Sequence, residues 1–523
     1  MLVAIDIVRT PAVRLSDITV RADGKFYVRR PDLHFRRSMQ TMEHIYGSLF
    51  IGGDWIAPSS AATITVASAT TEEPIGRVPE AVSADVDAAV AAARSAFDDP
   101  TGWATWEPDR RAEAMERLAD MLGKRGEQFA QLVSRENGMP IVTSRRSEAV
   151  IGAAVLRYYA ALARQTGVEE SRPAVAGNGT TVVRRAPVGV VAAIVPWNFP
   201  QTLTMFKLGP VLAAGCTVVL KPAPETALDA FLLAEAVREA GLPPGVVNVV
   251  PADREASGYL VGHPGVDKVA FTGSTATGRA IAEQCGRLLR PVTLELGGKS
   301  AAIVLDDADL EPNLDAFFRA TLNNNGQTCL IGTRVLAPRS RYGEVVDLLT
   351  DYFGSLSIGD PLDEGTRVGP LVSRRQRERV EGYIAKGRAE GGRITTGGGR
   401  PQGLDRGWFV EPTIFADVDN DFTPAREEIF GPVLCVLPYH DVDDAVRIAN
   451  DSDYGLGGTV WGTDIERALA VARRVHTGSV GVNGYALDLG APFGGVKDSG
   501  LGRELGPEGL AAYQQLKSIY GIA

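Results

Sequence analysis

Cysteine and histidine are scarce in this chain of 523 residues, which contains four cysteines and five histidines. The cysteines, at positions 216, 285, 329 and 435, form no CxxC pair, so neither a disulfide framework nor a zinc ribbon is indicated. No two histidines stand at metal-ligand spacing, which disfavours a metal hydrolase and a Ser-His or Cys-His catalytic pair. We therefore expect a reducing, cytoplasmic location, no bound metal, and a carboxylate as any catalytic base.

Long apolar runs and an excess of positive charge are also missing. The longest apolar run, near residues 188–197, is shorter than the roughly 20 residues that a membrane helix requires. Lys and Arg number 54 against 64 Asp and Glu, and the resulting charge of −10 disfavours binding to nucleic acid or to an anionic membrane. With 45% apolar and 23% charged residues, as in folded globular proteins, the chain is expected to form about three domains and to bind small molecules or proteins.

The first 42 residues differ from the rest, because they carry eight Lys or Arg against four Asp or Glu. Asp6 and Arg9 interrupt the only apolar stretch that resembles an export signal, which argues against secretion. The abundance of arginine leaves a transit peptide open, although the four acids count against it, and Met39 or Met42 is an alternative translation start. We interpret residues 1–42 as an N-terminal extension, either disordered or preceding the true start.

Beyond this segment, helical periodicity alternates with short valine-rich runs. Residues 84–135 have apolar positions at helical spacing, and further helices are predicted at 201–212, 226–239, 276–285, 310–325 and 374–390. Extended segments are predicted at 188–195, 217–220, 246–250, 268–272, 291–294, 301–304 and 408–415. This alternation implies a parallel sheet covered by helices on both faces, and its restart beyond Lys299 implies a second α/β domain. Residues 167–187 contain an Ala-Gly-Asn-Gly turn signal that predicts a hairpin arm.

Two polar segments are candidates for reactive groups. PWNFP, residues 196–200, places Asn198 at the end of a predicted strand, where its amide is suited to stabilising an oxyanion; the alternative is a proline-rigid turn. GQTC, residues 326–329, places Cys329 after a polar turn. A lone cysteine is most often a small buried hydrophobic residue, and we interpret Cys216, Cys285 and Cys435 in that way.

Two further segments each follow a predicted strand. In ELGGKS, residues 295–300, flanking leucines would desolvate Glu295 and raise its pKa towards that of a general base; the alternative is a structural ion pair. In FTGST, residues 271–275, Gly273 and Ser274 open a helix whose N–H groups suit a pyrophosphate. The alternative there is an ordinary helix cap, since no GxGxxG fingerprint occurs.

Together these segments resemble the NAD(P)-dependent aldehyde dehydrogenase superfamily, in its hydrolytic, non-CoA-acylating type. The resemblance covers nearly everything after about residue 45, and its motifs are PWNFP, KPAPET, FTGST, ELGGKS, GQTC, EEIFGPV and PFGGVKDSGLGRE. It implies an α/β fold with a Rossmann-type cofactor domain at 43–166 and 188–295 and a second α/β catalytic domain at 296–507. It also implies a small β oligomerisation arm at 167–187 and 508–523, and therefore a homodimer or homotetramer.

The resemblance assigns catalytic roles to five residues. Cys329 would be the nucleophile and Glu295 the general base, while Asn198 and the Cys329 backbone N–H would form the oxyanion hole. Lys207 would be a proton-relay or structural lysine, and Glu504 an auxiliary acid/base group. The implied reaction attacks an aldehyde with the cysteine, transfers hydride to the nicotinamide, and hydrolyses the resulting thioester with water activated by Glu295. Glu295 argues against transfer to coenzyme A.

The resemblance also assigns the cofactor and substrate contacts. Cofactor contacts are expected at Ile194, Pro196, Trp197, Lys221, Glu225, Gly273, Ser274, Glu295, Leu296, Gly297, Glu428 and Phe430. Pro224 replaces an acid that many members use to bind the ribose. We expect NAD, with NADP not excluded, because Glu225 could reach the ribose and no arginine or lysine adjoins Lys221 in the sequence.

The substrate tunnel is expected to be lined by Phe199, Leu203, Phe206, Leu330, Phe493 and the loop at 484–490. This lining predicts an apolar, unphosphorylated aldehyde, whereas Asp488 keeps aminoaldehydes open. Two other function classes stay open from the sequence. One is a catalytically inactive scaffold or binding protein on the same fold. The other is a cysteine hydrolase that uses no cofactor.

Overall fold

The computed structural model describes residues 18–20, 26–28, 44–176 and 178–522. The chain divides into two units, residues 1–41 and 42–523. In the first unit, strand β1 (Ile18–Val20) pairs antiparallel with β2 (Phe26–Val28). The expectations for residues 1–42 otherwise fall on residues outside the described ones.

The second unit contains both helices and strands. Its strands are β3 (His44–Ile45), β4 (Leu49–Ile51), β5 (Asp54–Ile56), β6 (Thr63–Ala67), β7 (Pro74–Pro79), β8 (Glu169–Pro173), β9 (Thr180–Pro187), β10 (Val190–Ile194), β11 (Thr217–Lys221), β12 (Val247–Val249), β13 (Lys268–Thr272), β14 (Val292–Glu295), β15 (Ala301–Val304), β16 (Arg334–Pro338), β17 (Arg393–Thr396), β18 (Thr413–Ala416), β19 (Val433–Tyr439), β20 (Tyr454–Gly455), β21 (Gly458–Trp461), β22 (Gly481–Val482), β23 (Val496–Lys497), β24 (Gly500–Leu501) and β25 (Gln514–Ile522). Its helices are α1 (Ser83–Asp98), α2 (Pro108–Lys124), α3 (Gly126–Asn137), α4 (Ile141–Arg146), α5 (Ile151–Gln165), α6 (Pro200–Ala214), α7 (Ala227–Glu239), α8 (Arg254–Gly262), α9 (Thr275–Arg287), α10 (Leu314–Thr321), α11 (Tyr342–Gly354), α12 (Arg374–Ala389), α13 (Thr423–Arg426), α14 (Val442–Asn450), α15 (Ile465–Ala472) and α16 (Gly506–Ala511). Within the described ranges, no helix is both long and apolar enough to cross a membrane.

The first large sheet has the strand order β24-β14-β13-β10-β11-β12-β4-β5, and β10 to β14 run parallel. Successive side chains of β10 enter opposite cores: Val191 packs with α2, α5 and α6, whereas Ala192 packs with α1, α8 and α9. Helices therefore cover both faces, as predicted. The register aligns Ile194 with Lys221 and Thr272 with Glu295, which brings these strand ends to one edge of the sheet.

The second large sheet has the order β17-β18-β19-β16-β15-β21-β22, with β17 as its antiparallel edge strand. A smaller antiparallel sheet has the order β25-β9-β8 and contains the predicted hairpin arm. Leu516 and Tyr520 on β25 are 68% and 77% exposed, so this sheet presents apolar side chains at the surface.

Two secondary-structure predictions are wrong in extent. The helix expected at 310–325 is α10 flanked by 3₁₀ turns, because Asn324 and Asn325 adopt left-handed φ values of 51° and 59°, which a helix does not allow. The extended segment expected at 408–415 is a strand only from Thr413, since Pro412 has no N–H for ladder pairing. The region 84–135 is correctly helical but is divided among α1, α2 and α3.

Candidate active site

A cavity of about 460 Å³ lies where β10 and β13 of the first sheet end. This is the edge at which open α/β sheets bind ligands. The cavity is lined by Pro196, Trp197, Asn198, Thr272, Gly273, Ser274, Leu296, Gly297, Cys329, Arg375, Gln376, Arg379, Glu428 and Phe430. The fold thus brings five of the sequence motifs, which are far apart in the chain, to one cleft.

Asn198 is held immediately before helix α6 and is only 3% exposed. Its Nδ2 donates a hydrogen bond to the backbone oxygen of Gln327 at 3.0 Å. Its own backbone oxygen accepts from Nδ2 of Asn137 at 3.1 Å and from Nδ2 of Asn324 at 2.9 Å. These bonds fix the amide beside the loop that carries Cys329, and the second Nδ2 hydrogen is left to stabilise an oxyanion.

The turn before Cys329 depends on asparagine. Asn325 Nδ2 donates to the backbone oxygens of Gly138 at 2.8 Å and Pro370 at 2.9 Å, and its Oδ1 accepts from the N–H of Gly369 at 2.7 Å. Asparagine tolerates the left-handed conformation that this turn requires. A Cβ on Gly298 would lie 2.3 Å from the Cys329 backbone oxygen, so the second glycine of ELGGKS allows the two segments to approach.

The surroundings of Cys329 favour the thiol over the thiolate. Burial, together with the carboxylates of Glu428 and Glu295, raises its pKa to about 12. A thiolate nucleophile at neutral pH therefore requires either a nearby cation or transfer of the proton to a base.

Glu295, at the end of β14, is 3% exposed. Neither of its carboxylate oxygens has a hydrogen-bond partner in the part of the chain that the structure describes. Burial and the neighbouring Glu504 carboxylate raise its pKa well above the usual range, while Lys207 and Arg503 oppose this shift. An unengaged carboxyl with a raised pKa is suited to accept a proton from water.

Lys207 of α6 lies behind the cleft. Its Nζ is 2.6 Å from Glu504 Oε1, and both side chains are buried. The same Nζ donates to Thr272 Oγ1, next to the cavity-lining Gly273. Glu504 Oε2 has no hydrogen-bond partner among the described residues, so this carboxylate retains an acceptor for a proton.

Glu428 and Phe430 also line the cavity. Glu428 Oε1 accepts the Gly298 N–H at 2.9 Å, and burial raises the pKa of this carboxyl. Phe430 adopts a left-handed φ of 61° and meets the Trp197 ring edge-on, with centroids 5.3 Å apart. Gln376 Nε2 donates to the Phe430 backbone oxygen at 2.7 Å and holds this strained segment in place.

Lys221 and Glu225 lie at the neighbouring strand end and do not line the cavity. Burial lowers the pKa of Lys221 to about 8, and the Glu225 carboxylate opposes that shift. Arg375 Nη2 donates to Glu225 Oε1 at 2.9 Å across 150 residues of sequence. No arginine or lysine adjoins Lys221 in the sequence, but the fold brings Arg375 of helix α12 to Glu225.

The predicted tunnel residues lie on the other side of Cys329. Leu203, Phe206 and Phe493 are buried in one apolar cluster, against which Cys329, Phe199 and Leu330 pack. A second cavity of about 120 Å³ is lined by residues of the loop that includes Tyr485 and Asp488, together with Phe493. Of the predicted cofactor contacts, Ile194 and Glu295 also lie outside the larger cavity.

Comparison with known proteins decides the family. Residues 55–519 match the sequence model described as the aldehyde dehydrogenase family. The chain belongs to the aldehyde dehydrogenase family. This finding confirms the family, the fold class and the aldehyde-oxidising activity predicted from the motifs.

Relatives of this aldehyde dehydrogenase align over nearly their whole length. Geranial dehydrogenase of Castellaniella defragrans is 55% identical over 92% of this chain and 99% of its own. The 3-succinoylsemialdehyde-pyridine dehydrogenase of a Pseudomonas species is 42% identical over 91% of this chain and 98% of its own. The crystal structure of a Mycobacterium tuberculosis aldehyde dehydrogenase complexed with NAD⁺ has a TM-score of 0.89 and 48% identity, covering 91% of this chain and 98% of that one.

Four cavity residues were not predicted from the sequence: Thr272, Arg375, Gln376 and Arg379. Thr272 lies inside the FTGST motif and was overlooked beside its glycine. The other three belong to α12, whose first turns contain charged and amide side chains but no recognisable motif. Their spacing at positions i, i+1 and i+4 places them together on one helix face, which is the only sequence signal that could have indicated them.

Proposed function

We propose that this aldehyde dehydrogenase oxidises an apolar, unphosphorylated aldehyde to its carboxylic acid with NAD. The observation that supports this most directly is a cleft lined by Asn198, Cys329, Glu428 and Phe430, with the Glu295 carboxylate close enough to raise the pKa of the Cys329 thiol. The apolar cluster around Leu203, Phe206 and Phe493 supports an apolar substrate.

The cleft fits a dinucleotide. Ser274 caps α9, so that the helix N-terminus and the N–H groups of the Gly273 turn are available to a pyrophosphate. The Glu428 carboxylate can accept hydrogen bonds from a ribose, and the Trp197 and Phe430 rings provide an apolar wall for a nicotinamide. When bound there, NAD accepts the hydride that leaves the substrate carbon.

The protein side chains carry out the remaining steps. The Cys329 thiol releases its proton to solvent, and Sγ adds to the aldehyde carbon. The resulting oxyanion is stabilised by Asn198 Nδ2 and the Cys329 backbone N–H. After loss of hydride the substrate is held as a Cys329 thioester. Glu295 then takes a proton from water, which attacks the thioester carbon and releases the acid and the thiol. Glu504, which is buried and paired with Lys207, is proposed as the group to which the proton passes from Glu295.

We propose that residues 43–166 and 188–295 bind the cofactor and that residues 296–507 form the catalytic domain. All strands of the first large sheet except β24 precede Leu296, and all strands of the second large sheet follow it, which supports this division. Residues 167–187 and 508–523 form an oligomerisation arm, and a homodimer or homotetramer follows. The exposed apolar side chains of β25 and the unpaired edge of β8 support this, because a second copy would cover both. Light scattering that finds a monomer at micromolar concentration would contradict it.

The enzyme is proposed to be cytoplasmic. All four cysteines are free thiols, three of them buried, and none is paired in a disulfide. Such a set of thiols is typical of a reducing compartment.

The activity is tested by absorbance of reduced nicotinamide with short aliphatic, long aliphatic, aromatic and amino aldehydes. We expect turnover with NAD that is highest for the apolar aldehydes. Turnover confined to amino aldehydes would contradict the proposed substrate class. A folded enzyme that binds NAD but oxidises none of these aldehydes would favour the inactive-scaffold alternative.

A further inference from the structure

We propose that Glu225 and Arg375 together set the preference between NAD and NADP, and that Arg375 is the ligand for a 2′-phosphate. This inference rests on the proposed cofactor site, with the adenosine ribose beside Lys221. It concerns the Arg375–Glu225 ion pair, which none of the sequence motifs indicated.

The ion pair connects the strand end to the cofactor cavity. Glu225 lies in the 3₁₀ turn that follows β11, four residues after Lys221. Arg375 is the second residue of α12 and also lines the cavity. The 2.9 Å bond from Arg375 Nη2 to Glu225 Oε1 therefore places a guanidinium and a carboxylate side by side near the proposed ribose position.

Arg375 is free to change partner. Its side chain is 84% exposed, whereas that of Glu225 is 20% exposed. An ion pair this open to water contributes little free energy, so exchanging a carboxylate for a phosphate costs little. The guanidinium also matches phosphate geometry, with two parallel N–H donors.

The other cavity-lining side chains of α12 are already engaged. Gln376 Nε2 donates to the Phe430 backbone oxygen at 2.7 Å. Arg379 Nε donates to the Ile429 backbone oxygen at 3.3 Å, and its Nη2 donates to that of Glu428. Moving either side chain would release the segment that carries Phe430. Arg375 has no such structural bond among those the structure describes.

Charge decides the direction of the preference. A ribose 2′-OH can donate a hydrogen bond to Glu225, whereas a 2′-phosphate placed there would be repelled by this carboxylate. Lys221 attracts either group, but burial lowers its pKa to about 8, so its charge is held weakly. The wild type therefore favours NAD, and Arg375 gives it a residual capacity for NADP.

The test measures binding of each nucleotide by titration calorimetry, without aldehyde, so that catalysis does not enter the result. Glu225→Gln removes the repulsion and releases Arg375. We expect the dissociation constant for NADP to fall by about tenfold or more, while that for NAD changes by less than about threefold. The double variant Glu225→Gln/Arg375→Gln should lose most of the gain for NADP.

Arg374→Gln is the matched control. Arg374 is the adjacent exposed arginine of α12, and its partner is Glu72 at 3.3 Å, so its removal should leave the ratio of the two constants unchanged. The inference is overturned if Glu225→Gln fails to improve NADP binding, or if the improvement persists in the double variant. A wild-type protein that binds neither nucleotide would instead contradict the proposed cofactor site, and this inference with it.

Discussion

Lys207 Nζ lies 2.6 Å from Glu504 Oε1, in an ion pair whose side chains are 0% and 1% exposed. Thr272 Oγ1 accepts a further hydrogen bond from the same ammonium group. The lysine comes from the helix that follows Asn198, and the glutamate from the last motif of the chain. This pair therefore joins the last motif to helix α6, and both groups lie close enough to Glu295 to affect its pKa.

Removing one partner of this ion pair should destabilise the folded protein. Lys207→Met leaves the Glu504 carboxylate buried without its countercharge, and we expect a loss of about 3–5 kcal/mol in the free energy of unfolding. The double variant Lys207→Met/Glu504→Gln carries no buried charge at these positions and should recover most of that loss. Urea denaturation of both variants measures this. A single variant as stable as the wild type would show that the pair does not act as described.

Asn198→Ala should slow the chemical step. The variant removes the oxyanion donor and the bond to Gln327, and kcat should fall by about 10²- to 10³-fold while NAD still binds. Asn313→Ala is the matched control, because that amide is exposed and donates a hydrogen bond to the nearby backbone oxygen of Asp309. Steady-state kinetics beside a NAD titration checks the result. An unchanged kcat in Asn198→Ala would show that this residue does not stabilise the oxyanion.

Glu295→Gln should separate thioester formation from its hydrolysis. The variant can still form the Cys329 thioester but cannot accept a proton from water, so we expect a rapid burst of NADH followed by a stall. Stopped-flow absorbance measures both phases. Steady turnover in the variant would contradict the role of Glu295 as base.

The wild-type enzyme should also show a matching pH dependence. The pKa of Glu295 is raised, so its base form is lost at low pH and gained as the pH rises through that pKa. The hydrolytic rate should therefore increase with pH, and Glu295→Gln should lack this increase. A wild-type hydrolytic rate that falls as the pH rises towards neutrality would contradict the role of Glu295 as base.

Glu148 should make folding stability depend on pH. This buried carboxyl accepts three bonds from the first residues of α6, yet burial raises its pKa to about 7. Its raised folded pKa favours the protonated form, so its contribution is fully present below the unfolded pKa and is lost as the pH rises through about 7. The expected loss for this group is about 3 kcal/mol.

Glu148→Gln should flatten this part of the pH profile. Urea denaturation of wild type and variant at several values between pH 4.5 and 7.5 isolates the contribution as a difference. The difference in free energy of unfolding between wild type and Glu148→Gln should change across this pH range. At lower pH this difference should be constant. Parallel profiles would show that Glu148 does not titrate as proposed.

Local chemistry explains which parts of the fold the sequence could predict. Valine-rich runs and helical periodicity correctly predicted the parallel strands β10, β11 and β13 and the helices α6 and α7. The ends of the predicted segments were less accurate, because the left-handed φ of Asn324 and the missing N–H of Pro412 act over one or two residues. Periodicity averages over longer windows and does not detect such effects.

The same distinction applies to the active site. Asn198, Glu295 and Cys329 lie in compact motifs, so their residue types and neighbours indicated them. Arg375 and Gln376 lie on an ordinary polar helix and reach the cavity only through the tertiary packing of α12. Such a contact between residues 150 positions apart leaves no trace in a single sequence.

The most direct test of the account compares wild type, Cys329→Ala and Cys435→Ala. NADH absorbance is recorded with NAD and an apolar aldehyde, and folding and NAD binding are measured on the same samples. Cys435 is fully buried in the second sheet and serves as the matched control. The account predicts NADH formation by wild type and Cys435→Ala, and neither burst nor turnover by a folded, NAD-binding Cys329→Ala. NADH formation by that variant at the wild-type rate would contradict it.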